Sequence, residues 1–451
     1  MAKAAIETVE KMMLEGPESF LKLEALLHDL SRETNRQLCE IAANTPDVPV
    51  PGDAPRGDEV CAGTRERDVL TLFGHVRIKR FCYYSPTNKR GNPRNPNSKK
   101  RRNQKRKLGR FPLDDALCLI AGCTPELARR GLEHAAAAPF DKAAETFGKA
   151  YTNKATDDIL KVLVRALRED AERFLRAAPN ESARDVDHAV VLADGKGVPM
   201  RPGELHGVQG RGPDGKARTR EAKVGAMFEM KPVPGLRRES ERLPDSTTYV
   251  ATLLRKDDFA DLLRFEFMRR FPRPPKTVLF IADGAKWLWD IRRTHFPQAV
   301  EILDFYHACE HLKPLLELAG LTGAAWKAAF EKWKGWLLAG RVDRVVEACE
   351  ALAAKETDER KKSWSEKLNY YRENRCRMKY DEYEARGWYI GSGVVESACR
   401  TLVGARFAQA GMHWSFSGAE AMLPIRTAIL SGRYEKLWEF IKKSREERTA
   451  A

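Results

Sequence analysis

Two acidic residues stand directly after short apolar runs in this sequence. Asp194 ends the run that begins at Val190, and Asp283 ends the run that begins at Val278; a glycine follows each acid. Such runs of β-branched and apolar residues are typical of buried strands. A third acid, Glu396, lies in a Gly-Ser-Gly segment that predicts a loop entering a helix. Three carboxylates brought together from two strand ends and a helix would suit hard divalent cations.

The chemistry that suits such a site is phosphoryl transfer with two Mg²⁺ or Mn²⁺ ions. Mg²⁺ prefers oxygen ligands at about 2.0–2.1 Å. Two ions about 3.5–4 Å apart can activate an attacking oxygen and stabilise a leaving one. Asp194, Asp283 and Glu396 are therefore the predicted catalytic residues and metal ligands. Taken singly, an Asp-Gly pair after a strand is more often only a turn.

A fourth acid competes for the role of second ligand. Asp304 ends another apolar run, and His307 follows three residues later. Asp304 and Asp283 stand at the same edge of the predicted sheet, so chemistry alone does not separate them. His307 could order a phosphate or a carboxylate, or be an ordinary polar residue at a helix start. His311 lies one helical turn beyond His307, but a zinc site there has no third ligand.

The elements that position these residues divide the chain into blocks. Residues 186–307 and 386–430 alternate strands with helices, which predicts an α/β catalytic domain. The predicted strands are 189–194, 222–230, 277–283 and 299–304, and the predicted helices between them are 256–271 and 286–295. Residues 308–385 show helical periodicity alone and predict an α-helical insertion. A C-terminal helix and tail are predicted for 431–451.

The first block, residues 1–185, is predicted to be a mainly helical DNA-binding region with a hairpin at 69–84. Its basic charge is concentrated, because eleven Lys and Arg residues and no acid lie between Tyr84 and Pro112. This stretch, a basic arm over 85–110, predicts contact with a polyanion such as DNA, with a solvated insertion as the alternative. The predicted DNA-binding residues of the arm are Lys99, Lys100, Arg101, Arg102, Lys105, Arg106 and Lys107.

Five further residues are predicted to contact DNA. Arg220 and Lys223 follow a Gly-rich loop and could touch phosphates, with a solvated face as the alternative. Arg400 lies one turn beyond Glu396 and could face DNA or pair with that acid. His413 and Trp414 could stack on a base, although a packing role is the commoner one for tryptophan.

The composition places the chain among globular proteins. It has 451 residues, a net charge of +15 and nine scattered cysteines. No apolar run approaches the roughly 20 residues that span a bilayer, and the N-terminus lacks a signal-peptide pattern. These features predict a cytoplasmic, nucleoid-associated protein that has no membrane partner and that keeps its thiols reduced.

Longer motifs surround the acids, and together they carry a resemblance. They are Ala-Asp-Gly-Lys-Gly-Val-Pro-Met at 193–200, Ala-Asp-Gly-Ala at 282–285 with Trp287 and Trp289, Ile-Leu-Asp-Phe-Tyr-His at 302–307, Glu-His-Leu at 310–312, Gly-Ser-Gly-Val-Val-Glu-Ser at 391–397 and Gln-Ala-Gly-Met-His-Trp-Ser at 409–415. The chain resembles the DDE transposases of bacterial insertion sequences, in the broad Mutator-like group and its Kra-type relatives. The resemblance covers roughly residues 185–430 and is looser in the N-terminal part.

The resemblance implies a ribonuclease-H-like catalytic domain with a helical insertion before the last catalytic residue. The triad it implies is Asp194, Asp283 and Glu396. Asp304 and His307 match an auxiliary Asp-x-x-His motif, which ranks Asp304 below Asp283 as a ligand. Relatives often carry a cysteine cluster near the hairpin, where this chain has only Cys82.

The implied activity is metal-dependent cleavage of double-stranded DNA at the ends of an insertion sequence, followed by strand transfer. A phosphodiester is hydrolysed, and the freed 3′-hydroxyl attacks target DNA. Joining two ends implies a homodimer or a higher oligomer on DNA. Two alternatives remain: a ribonuclease-H-like nuclease without strand transfer, and a catalytically inactive DNA-binding protein descended from a transposase.

Overall fold

The computed structural model describes residues 6–7, 17–45, 50, 52–85, 109–177, 185–206, 208, 217–233 and 241–450. They form a mixed α/β protein that divides into two compact units. The first unit comprises Met1–Leu167 with Trp438–Ala451, and the second comprises Arg168–Leu437. The division falls before Arg168, whereas the sequence suggested a boundary near residue 185.

The first unit contains a β-hairpin against which a long helix packs. Strands β1 (Val60–Thr71) and β2 (Gly74–Tyr84) are antiparallel, and helix α1 (Pro17–Ala43) packs on β2. The hairpin begins nine residues earlier than the sequence pattern of 69–84 indicates, because β1 continues beyond an irregularity between Cys61 and Thr64. Its buried core is small and apolar, as expected for a two-stranded ribbon that needs a helix for stability.

Four helices follow β2 in the Met1–Leu167 part of the first unit, among the residues that the structure describes. They are α2 (Pro112–Ala116), α3 (Pro125–Ala137), α4 (Phe140–Ala150) and α5 (Asp157–Ala166). Helix α5 begins where the Thr156 hydroxyl accepts a hydrogen bond from the Ile159 N–H. Apolar residues at helical spacing over 157–177 predict one helix, but the structure has two. Helix α5 ends at Ala166, Leu167 follows it, and α6 (Arg168–Ala177) belongs to the second unit.

The second unit is built on a six-stranded mixed sheet. Its strands are β3 (His188–Pro199), β4 (Thr219–Lys231), β5 (Glu241–Arg242), β6 (Thr248–Thr252), β7 (Thr277–Ala282) and β8 (Val300–Leu303). The order is β5-β4-β3-β7-β8, and β6 also pairs with β4. The pairs β3–β4, β4–β5 and β4–β6 are antiparallel, whereas β3–β7 and β7–β8 are parallel.

Helices cover the sheet, as the sequence of its central strand requires. Residues 189–193 of β3 are all buried, so both faces of this strand are covered. Helix α7 (Lys256–Arg270) packs on β4 and β6, and helix α8 (Lys286–His295) connects β7 to β8. These elements confirm the predicted α/β alternation. Strands β5 and β6 were missed because they are short.

A block of six helices follows β8. They are α9 (Phe305–Glu310), α10 (Leu312–Leu318), α11 (Gly323–Leu338), α12 (Val342–Ala353), α13 (Asp358–Asn374) and α14 (Tyr380–Ala385). Three tyrosines of this block donate hydrogen bonds to backbone carbonyls at the ends of β7 and β8. Tyr370 reaches the carbonyl of Asp283, Tyr380 that of Leu303, and Tyr383 that of Glu301.

The chain then returns to the sheet through a short helix. Helix α15 (Gly393–Ala398) packs against β3 and β4 and continues into a π-helical segment, Cys399–Gly404, and a last turn, α16 (Ala405–Phe407). Helices α17 (Phe416–Leu430) and α18 (Tyr434–Ala450) follow. None of the helices in the described ranges is long and apolar enough to cross a bilayer.

Candidate active site

Three acids stand side by side at one edge of the sheet. In the parallel pair β3–β7, Leu192 lies opposite Ile281, so Asp194 and Asp283 each stand two residues beyond a matched pair. In the next pair, Ala282 lies opposite Leu303, and Asp304 follows directly. Because neighbouring strands lie about 4.8 Å apart, this register brings all three acids together. Strands β7 and β8 end at their acids as predicted, whereas β3 continues past Asp194 to Pro199 because it stays paired with β4.

Asp194 lies within β3, opposite Val224 of β4, and its side chain contacts the next residue of the strand and the π-helical segment. Its Oδ1 accepts a hydrogen bond of 2.6 Å from the Gly195 N–H. Its Oδ2 lies 3.5 Å from the thiol of Cys399, which can donate to it. Burial raises the pKa of Asp194, and the nearby charges of Asp283 and Glu396 raise it further. The last effect indicates that the three predicted ligands are electrostatic neighbours.

Asp283 occupies a tight turn between β7 and α8. Its Oδ1 accepts a hydrogen bond of 2.9 Å from the Ala285 N–H. Gly284 has a φ of +103°, a conformation that a side chain would strain. A Cβ at this position would also lie 3.0 Å from Cε2 of Tyr370, whose hydroxyl donates to the Asp283 carbonyl at 3.2 Å. The Asp283 turn is therefore held by its own hydrogen bond with Ala285 and by the hydrogen bond from Tyr370.

Asp304 is enclosed, in contrast to the other two acids at the sheet edge. Its side chain is only 2% exposed and caps helix α9 by accepting a hydrogen bond of 2.9 Å from the Tyr306 N–H. Its other oxygen, Oδ2, contacts the hydroxyl of Ser392. Burial raises the pKa of Asp304. Both oxygens of Asp304 are thus engaged within the protein.

The hydroxyl of Ser392 bridges two carboxyl groups. It contacts Asp304 and also lies 2.5 Å from Oε1 of Glu396. One hydroxyl carries one proton, so Ser392 can donate to only one carboxylate at a time. The Ser392 hydroxyl can donate to either carboxylate, and burial, which raises the pKa of Asp304, favours the protonated form of that buried acid. Asp304 therefore supports Glu396 through Ser392.

His307 and His311 lie beside this row of acids, on the first turns of the helical block. Their Nε2 atoms are 3.3 Å apart. The ring of His311 stacks flat on Tyr370, with ring centres 3.7 Å apart and planes 9° apart. Burial lowers the pKa of His311 to about 4, and the neighbouring His307 lowers it too. His311 is therefore neutral at physiological pH and packs as an aromatic group.

Charge decides whether these side chains suit a divalent cation. A cation placed among Asp194, Asp283 and Glu396 would relieve the repulsion that raises the pKa of Asp194. Within the part of the chain that the structure describes, no three His, Cys, Asp or Glu side chains are gathered closely enough to hold a metal ion as they stand. The donor set fits a hard cation, but the carboxylates must draw closer to share one.

The remaining predicted DNA contacts fall in different environments. Arg220 Nε donates a hydrogen bond of 2.7 Å to the Glu204 carbonyl. The side chain of Lys223 is 14% exposed, and its Nζ donates to the Leu254 carbonyl at 3.1 Å. Both basic groups therefore have partners within the second unit. Arg400 is exposed.

His413 and Trp414 differ although they are adjacent. His413 is exposed, whereas Trp414 is 7% exposed and its indole Nε1 donates to the Phe407 carbonyl at 3.1 Å. The Trp414 ring also packs on that of Phe407. This placement favours the packing role for Trp414. The seven arm residues, 99–102 and 105–107, lie outside the described residues.

Three residues that the sequence did not single out contact the acids. Ser392 contacts both Asp304 and Glu396. Cys399 contacts Asp194, and Tyr370 contacts the carbonyl of Asp283. Only Ser392 carried a local signal, because it lies four residues before Glu396 and so one helical turn away. The other two contacts join residues 205 and 87 positions apart.

In comparisons with known proteins, no family model and no curated protein matched the chain.

Proposed function

We propose that this protein is a DDE transposase that cuts and joins double-stranded DNA at the ends of an insertion sequence. One observation carries the proposal: Asp194 and Asp283 stand at matched positions on adjacent parallel strands, close enough to Glu396 for its charge to act on Asp194. The motifs around these acids supply the choice of DNA as substrate. An assembly of two or more copies on DNA follows from the need to hold two ends.

Each acid has a part in this proposal. Asp194 and Asp283 each accept a hydrogen bond at Oδ1 from a backbone N–H one or two residues later in the chain, which orients the second oxygen. Glu396 reaches in from helix α15, with Oε1 held by Ser392. These three residues would hold two Mg²⁺ or Mn²⁺ ions. When bound, such ions stabilise the charge on the attacking and leaving oxygens of a phosphodiester.

We also propose that the six-stranded sheet is the core of a ribonuclease-H-like domain and that helices α9–α14 are an insertion in it. The order of elements supports this reading. Asp194 lies in the central strand β3, and Asp283 follows the parallel strand β7. The helical block comes next, and the third acid lies on a helix that packs back onto β3 and β4.

The decisive experiment is a cleavage and joining assay with the DNA that flanks the coding sequence. We expect nicking that requires Mg²⁺ or Mn²⁺, and joining of pre-cut ends to a target plasmid. Asp194→Asn should abolish both, whereas Asp187→Asn should not, since Asp187 is exposed and lies before β3, away from the acids. Nicking without joining would identify a nuclease instead, and absence of both would leave only DNA binding.

A second readout does not depend on activity. A metal that binds the folded state stabilises it, by about 2.7 kcal/mol at a hundredfold excess over its dissociation constant. We therefore expect Mn²⁺ to raise the melting temperature of the wild type and to raise that of Asp194→Asn much less. Equal shifts in the two proteins would contradict the assignment of these acids as ligands.

A further inference from the structure

A cavity of about 620 Å³ lies in the second unit, next to the segment that carries Glu396. Its wall includes Gly391, Gly393, Val394 and Ser397, which surround Ser392 and Glu396 in the sequence. Tyr306, two residues after Asp304, also lines it. The cavity wall and the row of acids therefore share two segments of chain, residues 304–306 and 391–397. Its volume is in the range of small-ligand sites.

Aromatic side chains form much of the wall. They are Phe305, Tyr306, Trp388 and Tyr389. Tyr306 keeps 51% of its surface exposed, although Phe305, Ala308 and Cys309 of the same helix are buried. A Cβ at Gly391 would lie 2.7 Å from Cε2 of this ring. The glycine thus lets the ring lie against the backbone, and this contact restricts the ring orientation.

The polar groups of the wall are of two kinds. Arg242 and Lys334 supply positive charge, and Glu384 supplies a carboxylate. Cations suit a phosphate, flat aromatic faces suit a base, and a carboxylate accepts hydrogen bonds from the amino group of a base such as cytosine. A small apolar ligand would need none of these charges, whereas a nucleotide would use all three groups.

We propose that this cavity binds one unpaired nucleotide of the DNA strand that the acids cut, with its base against Tyr306 and a phosphate near Lys334. The inference rests on the proposed function, because the acids supply the reason for a DNA strand to pass here. A strand whose phosphodiester lies at the acids places its neighbouring nucleotide within reach of the cavity. The cavity would thus hold the strand once its pairing is opened beside the cut.

The test measures binding of full-length protein to short fluorescein-labelled strands by anisotropy, in EDTA so that nothing is cut. One strand is oligodeoxycytidylate and the other is an abasic strand of the same length. We expect the wild type to bind the strand with bases about tenfold more tightly. Tyr306→Ala should reduce this ratio to about twofold or less, and Tyr306→Phe should keep it.

Two further variants make the result independent of a folding defect. Lys334→Glu alters a partly exposed residue and should also lower the ratio, because only a docked base brings a phosphate to this position. Trp326→Ala is the matched control, since its ring stacks on Phe330 outside the cavity wall, and it should keep the tenfold ratio. The proposal is overturned if the wild type binds both strands alike, or if Tyr306→Ala and Lys334→Glu both keep the ratio.

The outcome is separable from that of the proposed function. Asp194→Asn should lose cleavage but keep the base-dependent binding. If the wild type cuts DNA and shows no base dependence, the cavity proposal alone fails. If base-dependent binding is present and no cleavage occurs, the transposase proposal alone fails.

Discussion

Asp283 and Asp304 occupy matched positions on neighbouring parallel strands, yet their surroundings differ. Asp283 is half-buried, and the Ala285 N–H engages only its Oδ1. Asp304 is 2% exposed, and both of its oxygens have protein partners. The difference arises from the following residues, because Gly284 opens a turn whereas Phe305 begins a helix at once. A strand that ends in aspartate can thus lead either to an open carboxylate or to a buried support.

The largest expected effect tests this contrast directly. Asp283→Asn should lower the cleavage rate at least about 100-fold, since it removes a charged ligand. Asp304→Asn should stay within about threefold of the wild type, because its amide can cap helix α9 and donate to Ser392 as a neutral carboxyl would. Rates of end cleavage under single-turnover conditions decide the matter. Equal losses in the two variants would make Asp304 a ligand too.

A smaller loss of cleavage is expected from changing Ser392, which links the buried Asp304 to Glu396. Ser392→Ala removes the hydroxyl that holds Glu396 and should raise the metal concentration for half-maximal cleavage about 10–100-fold. Thr401→Ala is a suitable control, because its hydroxyl bonds only to the Ser397 carbonyl nearby in the same segment. An unchanged metal requirement in Ser392→Ala would show that Glu396 needs no such support.

The thiol beside Asp194 should matter least for cleavage. Cys399 is buried, and its thiol, which lies 3.5 Å from Oδ2 of Asp194, is a weak hydrogen-bond donor. We expect Cys399→Ser to retain cleavage within about fivefold, since a hydroxyl can also donate to the carboxylate. A loss comparable to that of Asp283→Asn would instead place Cys399 among the groups that the reaction requires.

The buried Asp304 should also make the stability of the protein depend on pH. Burial raises the pKa of Asp304, so its stabilising contribution is full below the unfolded value, about 3.9, and is lost as the pH rises through the folded value. Asp304→Asn has no charge to lose. Its melting temperature should therefore exceed that of the wild type by a margin that grows as the pH rises above about 4, to about 2–4 °C. A margin that shrinks as the pH rises would contradict a raised pKa for the buried Asp304.

Local patterns of apolar residues predicted most of the strands and helices around the candidate site. The helix at Lys286–His295 agrees with the predicted range, and the acid-bearing strands β3 and β7 lie where the apolar runs indicated. Short strands such as Thr248–Thr252 were missed, because five residues give too little periodicity. The break at Leu167 was missed as well, because apolar residues at helical spacing continue through it.

The candidate site was predictable as residue types but not as an arrangement. The sequence left Asp283 and Asp304 as competitors, since both end strands at one edge. Their separation depends on Ser392, which lies 88 residues from Asp304 in the chain. Contacts of that range follow from packing of the whole unit and have no local pattern. Trp414 is another case, because its burial against Phe407 depends on the chain returning to β3.

The three tyrosines that reach back to the strand ends have a consequence for how the protein is made. Tyr370, the partner of the Asp283 turn, is synthesised 87 residues after it, and Glu396 follows later still. A growing chain therefore carries both strand-borne acids well before the groups that fix and complete their site exist. The DNA cleavage proposed here would therefore require synthesis to have passed Glu396, so that chains terminated before this residue would lack it.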